Sequence, residues 1–345
     1  MTDPRPRPSD RLGPADRLDP AVRPYVEALT AAFPDVGGSV TDADEARRIL
    51  AAAPRQPADP PRVGAVEDRT VPGPSGAPPV PVRIYLPDPE EWPGPRPTVV
   101  FLHGGGFVLC DLDTHDTTAR TLSRSAGAAV VSVDYRRAPE HRFPAALEDA
   151  YAALCWAGGH LGELGGDPGA LVVAGDSAGG NLAAASLLMA RDHRKYTGPA
   201  VALQVLVYPA LDAAQAGGSY RTYAEGCFLT AAHLRWFWEQ YLGPDGDGGH
   251  PLASPLRADL TGLPPAHLVV AGCDPLRDDG RAYHRRLTAC GVPSVLDAHP
   301  GMFHGFLALA GVLPQAREAM ARLGGAIDST LTNGKTSGEA GGITG

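Results

Sequence analysis

A serine in a tight glycine turn is the first residue of this chain whose setting could support chemistry. Residues 172–181 read Val-Val-Ala-Gly-Asp-Ser-Ala-Gly-Gly-Asn: an apolar run breaks at Gly175, presents Ser177 and continues into good helix formers. This order predicts a strand, a sharp turn and a helix, with the hydroxyl at the apex. A serine hydroxyl is a weak nucleophile until a base and backbone N–H groups assist it. The turn therefore needs partners elsewhere in the chain.

The same glycines argue against two nucleotide-binding motifs. Gly175 and Gly180 have the spacing of a phosphate-binding loop, but Asn181-Leu182 stands where that loop requires lysine and then serine or threonine. A dinucleotide fingerprint fails as well, because Ser177 replaces the glycine that lets the backbone approach a pyrophosphate. Acyl transfer suits this turn better than nucleotide binding.

A glycine-rich segment upstream could stabilise the oxyanion of an acyl-transfer reaction. The apolar run 97–102 predicts a buried strand, and a histidine followed by three glycines comes directly after it. Such glycines expose backbone N–H groups, and each well-aimed donor to a tetrahedral oxyanion contributes about 3–4 kcal/mol. We expect Gly105, Gly106 and Ala178 to form an oxyanion hole, with Gly104 as a further candidate.

The base and the acid of a catalytic triad follow the serine in the order that this strand–turn–helix arrangement uses. A short apolar strand over 265–273 ends at Asp274, and the loop from His299 to Gly305 delivers His304. His304 would take the proton from Ser177 and return it to the leaving group, while Asp274 would fix the imidazole tautomer.

Neighbouring acids and histidines fit structural roles better. Asp278 and Asp279 fall in the first turn of the next predicted helix, where carboxylates stabilise the helix end. His299 precedes Pro300 and is typical of a turn. The remaining histidines lack a paired spacing such as His-Glu-x-x-His, so we expect no metal and no other cofactor.

Six further motifs occur in a fixed order along the chain: Val133–His141, Phe143–Asp149, Tyr208-Pro209, Ala253–Leu256, Asp274–Asp278 and Pro300–Phe306. Together with the Gly-Asp-Ser-Ala-Gly elbow and the glycines at 104–106, they resemble the hormone-sensitive lipase family of α/β-hydrolases, in its bacterial esterase branch. The resemblance covers residues 65 to 325. It implies an α/β-hydrolase fold: a mostly parallel, eight-stranded sheet flanked by helices, under a helical cap. One departure is Ala271-Gly272-Cys273, where the family often carries a glutamate; we expect Cys273 to be a small buried hydrophobe.

The family's architecture implies three parts of this chain. Residues 1–60 would hold an N-terminal extension and cap helices, with helices predicted over 21–33 and 41–52. Residues 61–330 would form the catalytic domain, with a cap insertion at about 211–250, and 331–345 a disordered tail. An aromatic helix in the insertion, over 229–241, either faces a substrate cavity or packs on the body of the protein. We expect the pocket to be lined by Phe107, Val108, Asp176, Tyr208 and Trp236.

Composition limits the partners. The 345-residue chain has a net charge of −9 and 43% hydrophobic residues, with no dense basic run, which argues against nucleic acid. No uncharged stretch approaches the ~18 apolar residues of a membrane span. The proline-rich N-terminus lacks the apolar core of a secretory signal, and five cysteines without close spacing suit a reducing cytoplasm.

These features predict a cytoplasmic serine hydrolase that cleaves small-molecule carboxylic esters of short or medium acyl chain through an acyl-Ser177 intermediate. A homodimer is compatible with the sequence. The alternatives are an amide deacetylase or a natural-product tailoring hydrolase or lyase on the same scaffold. A non-catalytic ligand-binding protein of this fold typically lacks the triad histidine, whereas His304 is present here.

Overall fold

The computed structural model of the protein describes residues 13–53, 60–192 and 198–331. The proline-rich first residues and, apart from residue 331, the predicted disordered tail lie outside these ranges. No helix within them is long and apolar enough to cross a membrane.

The described residues form one eight-stranded sheet in the order β1-β2-β4-β3-β5-β6-β7-β8. β2 runs antiparallel to both β1 and β4, and the other neighbours are parallel. The predicted mostly parallel sheet is thereby confirmed. The strands are Ala65–Val71 (β1), Val80–Leu86 (β2), Arg96–Leu102 (β3), Ala129–Val133 (β4), Gly166–Asp176 (β5), Leu203–Val207 (β6), Ala266–Cys273 (β7) and Ser294–Phe303 (β8).

Helices cover both faces of the sheet. The central strands are apolar almost without interruption because they are buried on two sides: in β3, Val99 and Phe101 pack into one hydrophobic cluster with α3 and α9, while Val100 and Leu102 pack into the other with α4, α5 and α8. The helices are Arg23–Ala32 (α1), Ala43–Ala52 (α2), Asp116–Ala126 (α3), Ala145–Gly159 (α4), Ala178–Asp192 (α5), Gly218–Thr222 (α6), Ala231–Leu242 (α7), Arg277–Ala289 (α8) and Pro314–Asp328 (α9).

Two boundaries differ from the sequence-based expectation. β8 continues to Phe303, so most of the segment predicted as a loop from His299 is strand, paired with β7 across an irregularity between Ala271 and Cys273. At the start of α2, the N-cap is Asp42, whose carboxylate accepts the Glu45 N–H at 2.8 Å. Aspartate is a preferred N-cap residue, so the helix begins at Ala43 and not at the predicted residue 41.

The N-terminal segment and the insertion after β6 pack against each other. The indole Nε1 of Trp236, in α7, donates to the Thr41 carbonyl oxygen at 3.1 Å. The rings of Phe33 and Phe228 meet edge to face with centroids 5.3 Å apart. A Cβ at Gly37 would lie 2.8 Å from the Ala232 carbonyl oxygen, which shows how closely the two segments approach.

Candidate active site

Ser177 occupies the turn between β5 and α5 with a left-handed φ of 54°. For a residue with a Cβ this conformation costs about 1–2 kcal/mol, and the surroundings hold it: the Ser177 N–H donates to the Val207 carbonyl at 2.9 Å. The turn requires glycine on both sides. A Cβ at Gly175 would lie 2.2 Å from the Gly179 oxygen, and one at Gly179 would lie 1.8 Å from the Leu102 oxygen.

The structure brings the three predicted triad residues together. His304 Nε2 lies 3.0 Å from Ser177 Oγ, and His304 Nδ1 lies 2.8 Å from Asp274 Oδ2. Asp274 is fully buried just beyond β7, and its other oxygen accepts the Leu276 N–H at 2.8 Å. In the tautomer that donates the Nδ1 proton to this carboxylate, the imidazole presents the Nε2 lone pair to the serine hydroxyl, which is the arrangement that activates a nucleophile.

Tyr208, directly after β6, forms one wall around the imidazole. Its ring centroid lies 4.7 Å from that of His304 at an interplanar angle of 56°. Burial raises the pKa of the Tyr208 hydroxyl well above its ordinary value, so the side chain stays neutral. Tyr208 therefore limits the orientations open to His304 without adding charge beside it.

The glycines after β3 lie beside Ser177. Gly105 and Gly106 have φ of 109° and 61°, conformations that residues with a Cβ rarely adopt, and both line the same cavity as Ser177 and Ala178. Ala178 is the first residue of α5, where N–H groups have no intrahelical acceptor. These three residues are therefore candidates to donate to one oxygen atom.

Gly104 has a different partner. Its N–H donates to Asp176 Oδ1 at 2.9 Å, and Gly104 is not among the residues that line the cavity. This bond occupies the Gly104 donor, so the expectation that it contributes to an oxyanion hole needs correction. The glycine has a packing reason: a Cβ at this position would lie 2.5 Å from Asp176 Oδ2.

Two histidines lie next to the Gly104–Asp176 hydrogen bond. His115 Nε2 lies 3.4 Å from Asp176 Oδ1. Burial raises the pKa of the Asp176 carboxyl, but His115 and the Gly104 N–H favour the anion and hold that pKa below its ordinary value. Burial and the neighbouring His115 lower the pKa of His103 to about 3, so its ring is neutral; its Nδ1 lies 2.7 Å from the Gly104 oxygen.

A cavity of about 230 Å³ opens over Ser177 and His304, and its walls are mainly apolar. Of the predicted wall residues, Phe107, Asp176 and Tyr208 line the cavity. Val108 is fully buried and does not line it, and Trp236 instead donates to the Thr41 carbonyl oxygen. α7 instead contributes three residues on one helix face. These three residues, Leu234, Phe237 and Trp238, belong to the aromatic helix whose orientation the sequence left open. Further wall residues, which the sequence did not single out, include Leu29, Phe33 and Phe228.

Asp278 and Asp279 lie in the first turn of α8, as expected. They also accept hydrogen bonds from the segment after β6, which the sequence did not predict. Asp279 Oδ2 accepts the Leu211 N–H at 3.0 Å and the Tyr220 hydroxyl at 3.0 Å. Burial raises its pKa to about 7 despite these donors. Asp278 accepts the Ser219 N–H at 2.8 Å. Both carboxylates thus tie the segment after β6 to α8, in addition to lying in the first turn of that helix.

His299 belongs to a separate cluster. Its Nε2 lies 3.2 Å from Asp297 Oδ2 and 3.2 Å from Arg322 Nη2, and His299 does not line the cavity that contains Ser177. Among the residues described, no group of three or more histidine, cysteine, aspartate or glutamate side chains is arranged to hold a metal ion.

The fold and the site define an α/β hydrolase with a serine nucleophile. A family described as having the alpha/beta hydrolase fold matches residues 99–308. Carboxylic ester hydrolase LipN of Mycobacterium tuberculosis is 46% identical over 248 residues, 71% of this chain and 65% of LipN. Esterase LipI of the same organism is 43% identical over 307 residues, 88% of this chain and 93% of LipI.

Solved structures agree. A hyperthermophilic esterase from the archaeon Pyrobaculum calidifontis superposes with a TM-score of 0.79 at 40% identity, covering 91% of this chain and 99% of that one. The protein belongs to the hormone-sensitive lipase family of α/β-hydrolases, in its bacterial esterase branch.

Proposed function

We propose that the protein hydrolyses carboxylic esters with short or medium acyl chains through an acyl-Ser177 intermediate. One observation carries the proposal: His304 Nε2 lies 3.0 Å from Ser177 Oγ in the wall of a mainly apolar cavity, and His304 Nδ1 lies 2.8 Å from the buried Asp274 carboxylate. The family relatives named as esterases support the reaction class.

In the first half-reaction, His304 accepts the proton of Ser177 as the Oγ attacks the ester carbonyl carbon. The carbonyl π electrons move to oxygen, and the Gly105, Gly106 and Ala178 N–H groups stabilise that oxyanion, each contributing about 3–4 kcal/mol. The intermediate collapses when the alkoxide leaves and takes the proton from His304. Asp274 stabilises the imidazolium that forms between these steps.

In the second half-reaction, water attacks the acyl-serine with His304 as the base, and the same donors receive the second oxyanion. The acid product leaves and Ser177 recovers its proton. The residues of the chain supply every proton transfer and charge stabilisation in this scheme.

The cavity supports the preference for short or medium acyl chains. Its volume is about 230 Å³, and aromatic side chains line it: Phe33 and Phe228 meet edge to face, and Phe237 lies so near that a Cβ at Gly106 would come within 2.2 Å of its ring. Apolar walls favour a hydrocarbon acyl group, because burial contributes about 0.8 kcal/mol per CH₂. Apolar walls do not compensate a charged carboxylate for the loss of its hydration, so a charged acyl group is disfavoured.

The test is turnover of a series of p-nitrophenyl esters from acetate to palmitate, followed by release of p-nitrophenol, with Ser177→Ala as the matched control. We expect turnover that falls off at long chains and is lost in the variant. Release that persists in Ser177→Ala would refute the nucleophile. A folded wild-type protein inactive on every ester would refute ester hydrolysis and favour amide or lyase chemistry.

The cellular location, the domain organisation and the oligomeric state are part of the same proposal. All five cysteines lie in the described residues as free thiols, which supports a reducing cytoplasmic location. The bond between Trp236 and Thr41 supports a cap to which both the described part of the N-terminal segment 1–60 and the insertion at 211–250 contribute, over a catalytic domain at 61–330. Light scattering would test the homodimer, which remains a prediction.

A further inference from the structure

The segment that carries the proposed oxyanion donors is held from outside. Four of its residues, Gly105, Gly106, Phe107 and Cys110, have positive φ. Phenylalanine and cysteine rarely adopt this region, because the Cβ approaches the following carbonyl. The local sequence therefore does not fix the segment by itself, and its neighbours must do so.

Arg47 reaches this segment from α2, a helix of the proposed cap. Its Nε donates to the Val108 carbonyl oxygen at 2.9 Å, and its Nη2 donates to the Ala138 carbonyl oxygen at 2.8 Å. Ala138 in turn donates its N–H to the Phe107 carbonyl oxygen at 3.0 Å. One guanidinium group thus connects the cap both to the oxyanion segment, residues 104–110, and to the loop after β4 that contains Ala138.

Acidic side chains fix the guanidinium in this position. Glu140 accepts from Nη1 at 2.6 Å and from Nη2 at 2.8 Å, and Asp44 accepts from Nη1 at 3.0 Å. The hydrogen bond from Arg47 lowers the pKa of Glu140 to about 2, so the carboxylate is charged at neutral pH. A two-pronged ion pair holds a planar guanidinium in one orientation, which a lysine ammonium cannot reproduce.

We propose that Arg47 is a positioning residue for the oxyanion hole. It contacts no reacting atom; it holds Val108 and Phe107, and through them the N–H groups of Gly105 and Gly106, in the orientation that the tetrahedral intermediate requires. The seating of α2 is thereby coupled to catalytic geometry. This inference rests on the proposed ester hydrolysis.

The experiment compares wild type with Arg47→Met and Arg47→Lys, and uses Arg48→Met as the matched control. Arg48 is an exposed arginine of the same helix. Each variant is assayed for kcat and KM on p-nitrophenyl acetate. Each is also titrated with a trifluoromethyl ketone and with the methyl ketone of the same chain, and its thermal unfolding is recorded.

The two ketones separate positioning from binding. Ser177 Oγ adds to the trifluoromethyl ketone carbon, its proton passes to His304, and the carbonyl electron pair becomes an oxyanion in the hole. The methyl ketone fills the same cavity with its carbonyl largely intact. Only the first ligand therefore reports how well the oxyanion donors are aligned.

We expect Arg47→Met to lower kcat about 10- to 100-fold, since small misplacements of catalytic groups have effects of this size. The affinity for the trifluoromethyl ketone should fall by a similar factor, while KM and the methyl ketone affinity change less than about twofold. Arg47→Lys should fall between Arg47→Met and wild type, because an ammonium can replace one donor at a time. Arg48→Met should match wild type.

Unchanged kcat in Arg47→Met, or an equal loss of affinity for both ketones, would overturn the inference. If Arg47→Met does not fold, Glu140→Gln decides the question: it keeps the guanidinium but removes its anion, and it should weaken trifluoromethyl ketone binding selectively. Equal binding of both ketones to Glu140→Gln and wild type would then overturn the inference. A wild-type protein that hydrolyses no ester would instead refute the proposed function.

Discussion

The backbone N–H of Gly104 donates to the carboxylate of Asp176 across a distance of 2.9 Å. This bond joins the start of the oxyanion segment to the residue that precedes the nucleophile, so the two halves of the site share one anchor. Hydrogen bonds to charged groups contribute roughly 1.5–3 kcal/mol. The loss of this bond should therefore have a measurable effect on the position of the segment.

Replacing Asp176 should separate the hydrogen bond from the charge. Asp176→Ala removes the acceptor, and we expect kcat/KM to fall about 10- to 100-fold, which corresponds to the strength of the lost bond. Asp176→Asn keeps an oxygen that can accept from Gly104, so its loss should be smaller. Steady-state kinetics on one ester tests this, and equal activity in both variants and wild type would contradict the anchor.

The triad acid gives a sharper effect. In Asp274→Asn the side-chain amide can donate to His304 Nδ1 and stabilise the wrong tautomer, in which Nε2 carries the proton. We expect kcat to fall on the order of 10⁴-fold, the size of the same change in the chymotrypsin-type triad, with thermal stability close to wild type. Asp278→Asn is the control four residues away and should retain most activity. A modest loss in Asp274→Asn would remove this residue from the triad.

Two tryptophans of one helix offer a matched test of the cavity. Trp238 lines the cavity, whereas Trp236 donates to Thr41. Both Trp238→Leu and Trp236→Leu should lower stability, by about 1–3 kcal/mol each. Only Trp238→Leu should shift the preferred p-nitrophenyl ester toward longer acyl chains, because it enlarges the cavity. A shift of equal size in Trp236→Leu would contradict the assignment of the walls.

The buried Asp279 predicts a pH dependence of stability. Burial raises its pKa in the folded protein to about 7, above the value near 3.8 expected when unfolded. The folded state therefore binds the proton more tightly, and stability is lost as the pH rises from about 4 to about 7, by an amount on the order of 1–4 kcal/mol.

Asp279→Asn is neutral throughout this range and can still accept from Leu211. Urea unfolding at several pH values should show a smaller decline for Asp279→Asn than for wild type. Parallel profiles for the two proteins would mean that this carboxyl does not titrate as described.

Much of the site could be predicted because strand ends carry it. Parallel strands bring their carboxyl ends to one edge of the sheet. The three triad residues follow such ends and therefore lie close together: Ser177 after β5, Asp274 after β7 and His304 after β8. The glycines at 175 and 179 likewise follow from the local turn, which leaves no room for a Cβ.

The cavity walls could not be predicted in the same way. Trp236 and Trp238 are two positions apart in an aromatic helix, and the sequence does not reveal how that helix is rotated. The rotation depends on the N-terminal segment, whose Thr41 carbonyl accepts from Trp236 across 195 residues. The role of Gly104 has the same origin, since its acceptor, Asp176, lies 72 residues away. Contacts between distant segments decide both cases.

The most direct test of Ser177 as the nucleophile is covalent labelling with a fluorophosphonate, which reacts with serine hydroxyls activated by a neighbouring base. Peptide mapping should find one label per chain on Ser177 in wild type, none in Ser177→Ala, and much slower labelling in His304→Ala. A label on another residue, or an unlabelled Ser177 in a protein that still hydrolyses esters, would contradict the role of Ser177 as the nucleophile.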